Sequence, residues 1–367
     1  MNDFVAHILV VDDDEGIRSL IKQYLNENNF LVTTSDSAEN AEEKISIIKF
    51  DLIVLDVMMP GQNGFELTKE IKKFSNEVSS KIYFDYDLKK SNWFNIGGKA
   101  KIYFIHDNLP DLILFLKRFG NKEKIHILGA GSNTLISDNT FDGAVIKLGK
   151  NFSNISILPN GVIVAGSACL DKKLSDFALE NEVGGFEFLA CIPGTIGGGL
   201  KMNAGCFNKE FKDVLVSIQA IDKNGQVLTI PASKVMFKYR SNDLKEDLIF
   251  LSASFKGSRK NKVEIEKEVL ELKEKKDNAQ PTKIKTSGST FKNPIDQTDK
   301  KVWELIKESV ALDTSFGDAH ISNKHCNFFV NKNNASFSDM NKLIEFVKTS
   351  VEKKTGIVLE KEIKILK

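Results

Sequence analysis

Hydrophobic and polar positions follow two different patterns along the chain. In the first stretch, His7–Val11 is an apolar run that ends in acids. Ile17, Leu20, Ile21, Tyr24 and Leu25 then recur at the spacing of one helical face, and Ala38, Ala41 and Ile45 mark a second helix. Residues 30–34 and Leu52–Leu55 are two further apolar runs. The order predicted is β-α-β-α-β. Near-continuous apolar strands separated by helices imply a parallel sheet covered on both faces, a partial doubly wound α/β unit.

From residue 81 the pattern changes. Pro110 opens a short helix and Gly120 closes it. Residues 125–128 form an apolar strand, and residues 171–182 read as a helix. Val216, Ile218 and Ala220 alternate with Ser217 and Gln219, which predicts a half-buried strand with those three on the core face. Lys223-Asn224-Gly225 supplies a hairpin turn, and residues 248–255 form another strand. A charged helix over residues 263–276 leads to a C-terminal part. The expected division is 1–75, 76–258 and 259–367, with the first joint in the polar stretch 74–80.

Charge separates the same pieces. Residues 1–75 hold 7 basic and 14 acidic residues, and the remainder 44 and 36, although the whole chain of 367 residues carries only +1. A near-neutral total gives no reason to expect nucleic acid or an anionic membrane as partner. No apolar run approaches a membrane-spanning length. The four cysteines are far apart in sequence with no CxxC, which argues against a disulfide framework and for a reducing cytoplasm.

Asp12 and Asp13 end the first strand and Asp56 ends the third. Sites in such sheets form at the carboxyl ends of neighbouring strands, so three carboxylates should converge and suit a hard octahedral ion such as Mg²⁺. With Met58-Met59-Pro60-Gly61 beside them, they resemble the receiver domain of response regulators. The resemblance implies Asp56 as phospho-acceptor and Asp12 and Asp13 as metal ligands. It stops early. Residues 81–84 could be a further strand, but Asp85 stands where a receiver has Ser or Thr, and no receiver lysine follows. A truncated receiver is expected, with its third strand bare.

The second piece carries glycine loops after strands. Gly129-Ala130-Gly131-Ser132-Asn133 follows an apolar run, but Thr134 stands where a dinucleotide Rossmann loop needs its third glycine. Seven glycines lie between positions 184 and 205, including Gly194, Gly197, Gly198 and Gly199. A plain loop has no use for so much backbone freedom. With Gly97-Gly98, these turns look like a cradle for an extended pyrophosphate. Only four arginines occur, and Arg240, after Tyr239, could clamp a carboxylate with its planar fork. Ser289 in Gly288-Ser289-Thr290-Phe291 could donate a proton to a strongly basic carbanion.

The ordered set WFNIGGKA, ILGAGSNTLISD, GFEFLACIPGTIGGG, MNAG, YR, GSTFKNP, ISNKHCNFFVN and GIVLEKEI resembles the UDP-N-acetylenolpyruvoylglucosamine reductase family over about residues 81–367. That resemblance implies an α+β flavoprotein: an FAD-binding domain of the vanillyl-alcohol oxidase type followed by a C-terminal α/β substrate domain. It implies non-covalent FAD, NADPH as reductant and a UDP-sugar as substrate. Gly97, Gly98, Gly129, Ala130, Gly131, Ser132, Asn133, Pro193, Gly194, Thr195, Gly197, Gly198 and Asn203 would hold FAD. Arg240 and Glu362 would stabilise an enolate, Ser289 would protonate it, and Tyr239, Lys292 and Asn293 would contact substrate. Glu362 is chosen over Glu360 because the terminal motif places its glutamate just before a branched apolar residue, here Ile363. Asn242 replaces the serine usual two positions after the arginine, and residues 310–320 depart from the usual glycine-rich stretch. A monomer is expected. Two other readings compete: an oxidase of the same fold, although residues 129–133 lack a histidine to tether FAD, and a receiver that gates the flavoenzyme.

Overall fold

The computed structural model describes residues 4–56, 72–75, 77–282 and 284–367. The chain divides into two compact units, Met1–Val78 and Ser79–Lys367, with the break inside the polar stretch 74–80.

In the first unit, His7–Val11 lies between Leu31–Ser35 and Leu52–Leu55, parallel to both. Alternation puts Leu9 and Val11 on one face with Ala41, and Ile8 and Val10 on the other with Val32. Helix Glu15–Glu27 starts where the Asp14 side chain accepts from the Ile17 N–H. Its apolar stripe is used only in part. Ile21 and Leu25 pack against the sheet, while Leu20 and Tyr24 are 69% and 65% exposed. The second helix is Ala38–Ile47. Among the described residues Leu52–Leu55 is an edge strand. The loop 58–61 lies outside the described residues. Residues 81–84 do not extend this sheet. Lys81–Asp87 pairs antiparallel with Lys99–His106 and belongs to the second unit.

The second unit opens with a four-stranded sheet in the order Lys81–Asp87, Lys99–His106, Phe141–Leu148, Ile125–Ile127. Helix Leu109–Phe119 starts at Asn108, whose side chain accepts from the Asp111 N–H at 2.8 Å, and closes at Gly120. A five-stranded antiparallel sheet follows, in the order Val227–Pro231, Leu215–Ile221, Ile249–Lys256, Val162–Gly166, Ile155–Ile157. Helices Asp171–Glu180 and Ile196–Met202 complete this lobe. Ile218 and Ala220 face its core as the alternation predicts, but Val216 is exposed. A register shift between Leu215 and Ser217 puts one extra residue opposite the neighbouring strand, so Leu215 takes the core position instead.

Helix Lys262–Ala279 leads to the C-terminal part. Helices Val302–Ser309 and Phe337–Thr355 pack there with a small sheet of Ser315–Phe316, Ala319–Ile321 and Phe329–Asn331. Their core also takes in Phe94, Ile96 and Leu135 from the opening lobe. The chain then returns to that lobe, where Lys364–Leu366 pairs parallel with Thr134–Ile136.

Because residues 79–367 hold these cores among themselves, a chain of residues 79–367 alone is expected to unfold in a cooperative transition. Calorimetry and near-ultraviolet circular dichroism test this. A broad transition without fixed aromatic signals would show that the second unit needs residues 1–78.

Candidate active site

The first glycine loop, residues 129–133, joins Ile125–Ile127 to Thr134–Ile136. Among the described residues, none of its five backbone N–H groups donates to a backbone carbonyl. Gly131 has a φ of +68°, and a Cβ there would lie 2.2 Å from the Ser91 carbonyl oxygen. A Cβ on Gly129 would meet the Thr195 hydroxyl at 2.8 Å, so the two glycine loops face each other. Ala130 and Ser132 are half-buried between them and solvent. The Asn133 amide donates to the Glu362 carbonyl at 3.1 Å, and the Lys364 N–H donates to the Asn133 carbonyl at 2.9 Å. Gly97 and Gly98 sit behind this loop. A Cβ on Gly97 would meet Ile136 at 3.0 Å, and one on Gly98 would strike the Asp138 carbonyl at 2.2 Å.

The second loop works differently. The Ile196 and Gly197 N–H groups are taken by the carbonyls of Cys169 and Ser167, each at 2.9 Å. Thr195 caps the short helix by accepting from Gly198 at 3.4 Å. Pro193 and Gly198 are exposed, and Gly194 packs on Asp171, whose carboxyl oxygen would be 2.6 Å from a Cβ there. Beneath the loop, the Ser167 hydroxyl and both Asp171 carboxyl oxygens are buried without hydrogen-bond partners among the described residues. Burial pushes the Asp171 carboxyl well above the usual carboxylate range. Asn203 is turned inward. Its amide donates to Glu210 at 3.0 Å and to the Lys238 carbonyl at 3.1 Å, so the side chain acts on the protein.

A cleft of about 460 Å³ opens beside both loops. Tyr86, Tyr103, Lys147 and Lys150 line it from one lobe, and Ala168, Leu170 and Lys173 from the other. Leu170 is bridged to Thr195, and Ser91, which backs Gly131, lines the cleft too with Lys90. Free amides, orphaned buried oxygens and a cleft bordered by four lysines fit the diphosphate of a flavin dinucleotide.

Arg240, Ser289 and Glu362 lie outside that cleft's lining. Tyr239 and Arg240 form the two-residue turn between Phe237–Lys238 and Ser241–Asn242. Arg240 has a φ of +55°, the left-handed region that such a turn usually gives to glycine or asparagine. Its guanidinium donates to the Gly205 carbonyl at 2.7 Å and to Glu362 at 3.3 Å, and it rests 4.8 Å over the Tyr239 ring. The Glu210 carboxylate is 3.8 Å away and is itself held by Lys212 at 2.8 Å. Burial pushes the Glu362 carboxyl up, and Arg240 pulls it back. The Glu362 N–H donates to the Thr290 carbonyl at 2.8 Å, which puts Ser289 one residue away on the adjoining segment, itself bridged to Phe328. Asn293 reaches the Tyr239 hydroxyl at 3.4 Å. Lys292 instead pairs with exposed Glu360 at 2.9 Å. Thus Glu362, and not Glu360, lies against Arg240.

In the first unit, ligand oxygens of Asp12, Asp13 and Asp56 all lie within 4.8 Å of one another.

A curated relative from Pelagibacter ubique, named UDP-N-acetylenolpyruvoylglucosamine reductase, is 89% identical over 299 residues, 82% of this chain and 99% of the relative. The chain belongs to the UDP-N-acetylenolpyruvoylglucosamine reductase family. A relative of the same name from Rickettsia conorii is 45% identical over 76% of this chain and 94% of its own length. The solved reductase of Thermus caldophilus is 26% identical with a TM-score of 0.67, over 78% of this chain and 99% of that one. The family's C-terminal domain model matches residues 280–366, and an FAD-binding domain model matches 102–231. This FAD-binding domain is of the vanillyl-alcohol oxidase type. A response regulator receiver domain model matches residues 8–84, six residues past the end of the first compact unit at Val78.

Within this reductase chain, sequence reasoning missed Glu210, Ser167, Asp171 and the cleft lysines. Glu210 follows the MNAG motif closely, but nothing in its spacing points to Arg240. The others carry no local signal, because burial and orphaned oxygens exist only once the lobes pack.

Asp171 yields a test with a definite sign. Its folded-state pKa is raised, so the folded chain keeps a proton that the unfolded chain releases. Stability is therefore fully present below the unfolded pKa, about 3.9, and is lost as pH rises, by at most about 1.4 kcal/mol per pH unit. Asp171→Asn removes this dependence. Its melting temperature should rise relative to the parent as pH goes from 4 upward; a constant difference would mean that Asp171 is ionised in the folded chain.

Proposed function

We propose that this chain reduces UDP-N-acetylglucosamine enolpyruvate to UDP-N-acetylmuramate with NADPH, in peptidoglycan synthesis, through FAD held non-covalently by residues 76–258. When bound, FAD would supply the hydride-transfer chemistry between NADPH and the enolpyruvyl double bond. Residues 129–133 turn their amides to the diphosphate, and the loop 193–198 shapes the opposite wall. Hydride addition at the β-carbon leaves negative charge delocalised into the substrate carboxylate. Arg240 and Glu362 stabilise that charge, and a carboxyl whose pKa is raised by burial can also donate a hydrogen bond to it. Ser289 hands its proton to the α-carbon. Tyr239 and Asn293 orient the substrate, with Lys292 at the rim, and residues 259–367 form the substrate side.

The observation that carries this assignment is Arg240. A non-glycine residue in the left-handed region is strained, and here its guanidinium is held by Glu362, Gly205 and the Tyr239 ring. An oxidase of the same fold gives Ser289 and Glu362 no role.

The UDP-sugar and NADPH place the reaction in the cytoplasm. The chain acts as a monomer on small molecules, with neither nucleic acid nor membrane as partner. No helix among the described residues is long and apolar enough to cross a membrane. In the first unit, the carboxylates of Asp12, Asp13 and Asp56 suit Mg²⁺, with Asp56 as phospho-acceptor. Among the described residues this unit has three strands, and Asp85 stands where a receiver has Ser or Thr, so in this reading the unit does not govern turnover. Phosphorylation at Asp56 that changes turnover would reverse that assignment in favour of a gated flavoenzyme.

An anaerobic visible spectrum tests the main reading. Yellow protein should bleach with NADPH and recolour on adding the enolpyruvyl UDP-sugar. Colourless protein, or colour that returns only with oxygen, would overturn it. Arg240→Lys and Glu362→Gln should each lower kcat by roughly a hundredfold to a thousandfold. Ser289→Ala should lose turnover while NADPH still bleaches the protein at the parental rate.

A further inference from the structure

Ser289 lies on the middle one of three backbone segments. On one side it is bridged antiparallel to Phe328, and the Thr290 N–H donates to the Asn327 carbonyl at 2.8 Å. On the other side Phe291 is bridged to Lys361. There the Thr290 carbonyl accepts from the Glu362 N–H at 2.8 Å, and the Lys292 N–H donates to the Glu360 carbonyl at 2.9 Å. Thr290 thus gives its N–H to one neighbour and its carbonyl to the other. In a regular ladder both groups of a paired residue serve the same neighbour, so the ladder breaks at Thr290. Phe291, the next residue, is 1% exposed, and its polar backbone groups need partners inside the protein. The Asn327 side chain supplies both. Its Oδ1 accepts from the Phe291 N–H at 3.0 Å, and its Nδ2 donates to the Phe291 carbonyl at 2.9 Å. A buried side-chain amide does there what the backbone of a strand would do.

The amide is itself held from behind. The Asn327 N–H donates to His325 Nδ1 at 3.3 Å, and the Phe328 N–H donates to the His325 carbonyl at 2.9 Å. The Ser322 N–H donates to the Phe328 carbonyl at 2.8 Å, and the His325 ring packs edge-on against the Phe328 ring with centroids 4.8 Å apart. The Thr286 hydroxyl donates to the Phe329 carbonyl at 2.7 Å, so residues 286–291 are tied to this turn at both ends.

We propose that Asn327 is the positioning residue of the proton donor: its side-chain amide clamps Phe291 and so fixes where the Ser289 hydroxyl meets the substrate. A serine oxygen is one rotatable bond from its Cα, so the placement of its backbone decides where it reaches. A catalytic group has to be held to within a fraction of an ångström by the bonds around it. The inference rests on the proton-donating role given to Ser289 above. It adds the residue through which the fold enforces that role.

The test measures kcat of the full, FAD-loaded chain from accumulated UDP-N-acetylmuramate, in H₂O and in D₂O. Asn327→Asp keeps the acceptor but turns a second acceptor toward the Phe291 carbonyl. It should still bind FAD and bleach with NADPH at the parental rate. Its kcat should fall by about tenfold to a hundredfold, the scale of a small misplacement of a reacting group. The fall should be larger in D₂O, because the proton transfer is the step that slows. In a Ser289→Ala chain the same substitution should change the residual kcat by less than about twofold, since no hydroxyl remains to be placed. Should Asn327→Asp purify without flavin, Asn327→Ser takes its place in the same cycle. Parental kcat in the Asn327 variant, or an equal loss in both backgrounds, would overturn the inference. Ser289→Ala with parental kcat would overturn the role of Ser289 itself and the inference with it, and that single variant tells the two failures apart.

Discussion

A short parallel strand pairing holds the candidate site together. Lys364–Leu366 lies in register with Thr134–Ile136, the strand that follows the first glycine loop. Two hydrogen bonds at Asn133 extend it: its amide to the Glu362 carbonyl and its carbonyl to the Lys364 N–H. Without that pairing Glu362 would have no fixed place. With it, the glutamate is set beside the first glycine loop. The Thr290 carbonyl fixes the other flank, so Ser289 and Glu362 share one backbone frame. Backbone ladders of this kind position side chains more closely than long flexible loops can.

Arg240 depends on a second, electrostatic frame. Its guanidinium lies between Glu362 and Glu210, with the Gly205 carbonyl as a neutral anchor. Removing one partner of a partly buried ion pair leaves the other uncompensated, so such a cluster tolerates little change. Asn203 belongs to this frame. By holding Glu210 and the Lys238 carbonyl, it ties the MNAG turn to the hairpin that carries Arg240. Its left-handed backbone, at a φ of +41°, ends the preceding helix and permits that turn.

The two glycine loops, similar in composition, do different work. Among the described residues, 129–133 leave their N–H groups free of backbone acceptors, whereas Ile196 and Gly197 give theirs to the carbonyls of Cys169 and Ser167. Glycine at 131 is required because the Ser91 backbone fills the space a side chain would take. Glycine at 199 is required because the Phe211 ring lies 2.3 Å from where its Cβ would be. One loop is a donor surface and the other a packing surface.

Local pattern by itself determined much of this protein. Strand His7–Val11, the helix opened at Asn108 and closed at Gly120, and the hairpin at Asn224-Gly225 follow from apolar period, capping and turn chemistry, which act over a few residues. The order of the motifs was enough to indicate the family and to single out Arg240, Ser289 and Glu362. The rest depended on contacts between distant segments. A bulge turned Val216 outward, and pairing with Lys99–His106 put Lys81–Asp87 into the second unit. Packing placed Glu210 beside Arg240 and left the Ser167 hydroxyl and the Asp171 carboxyl buried without partners among the described residues. Burial, ion pairing and ladder register are properties of residues far apart in the chain, so no local period or spacing encodes them.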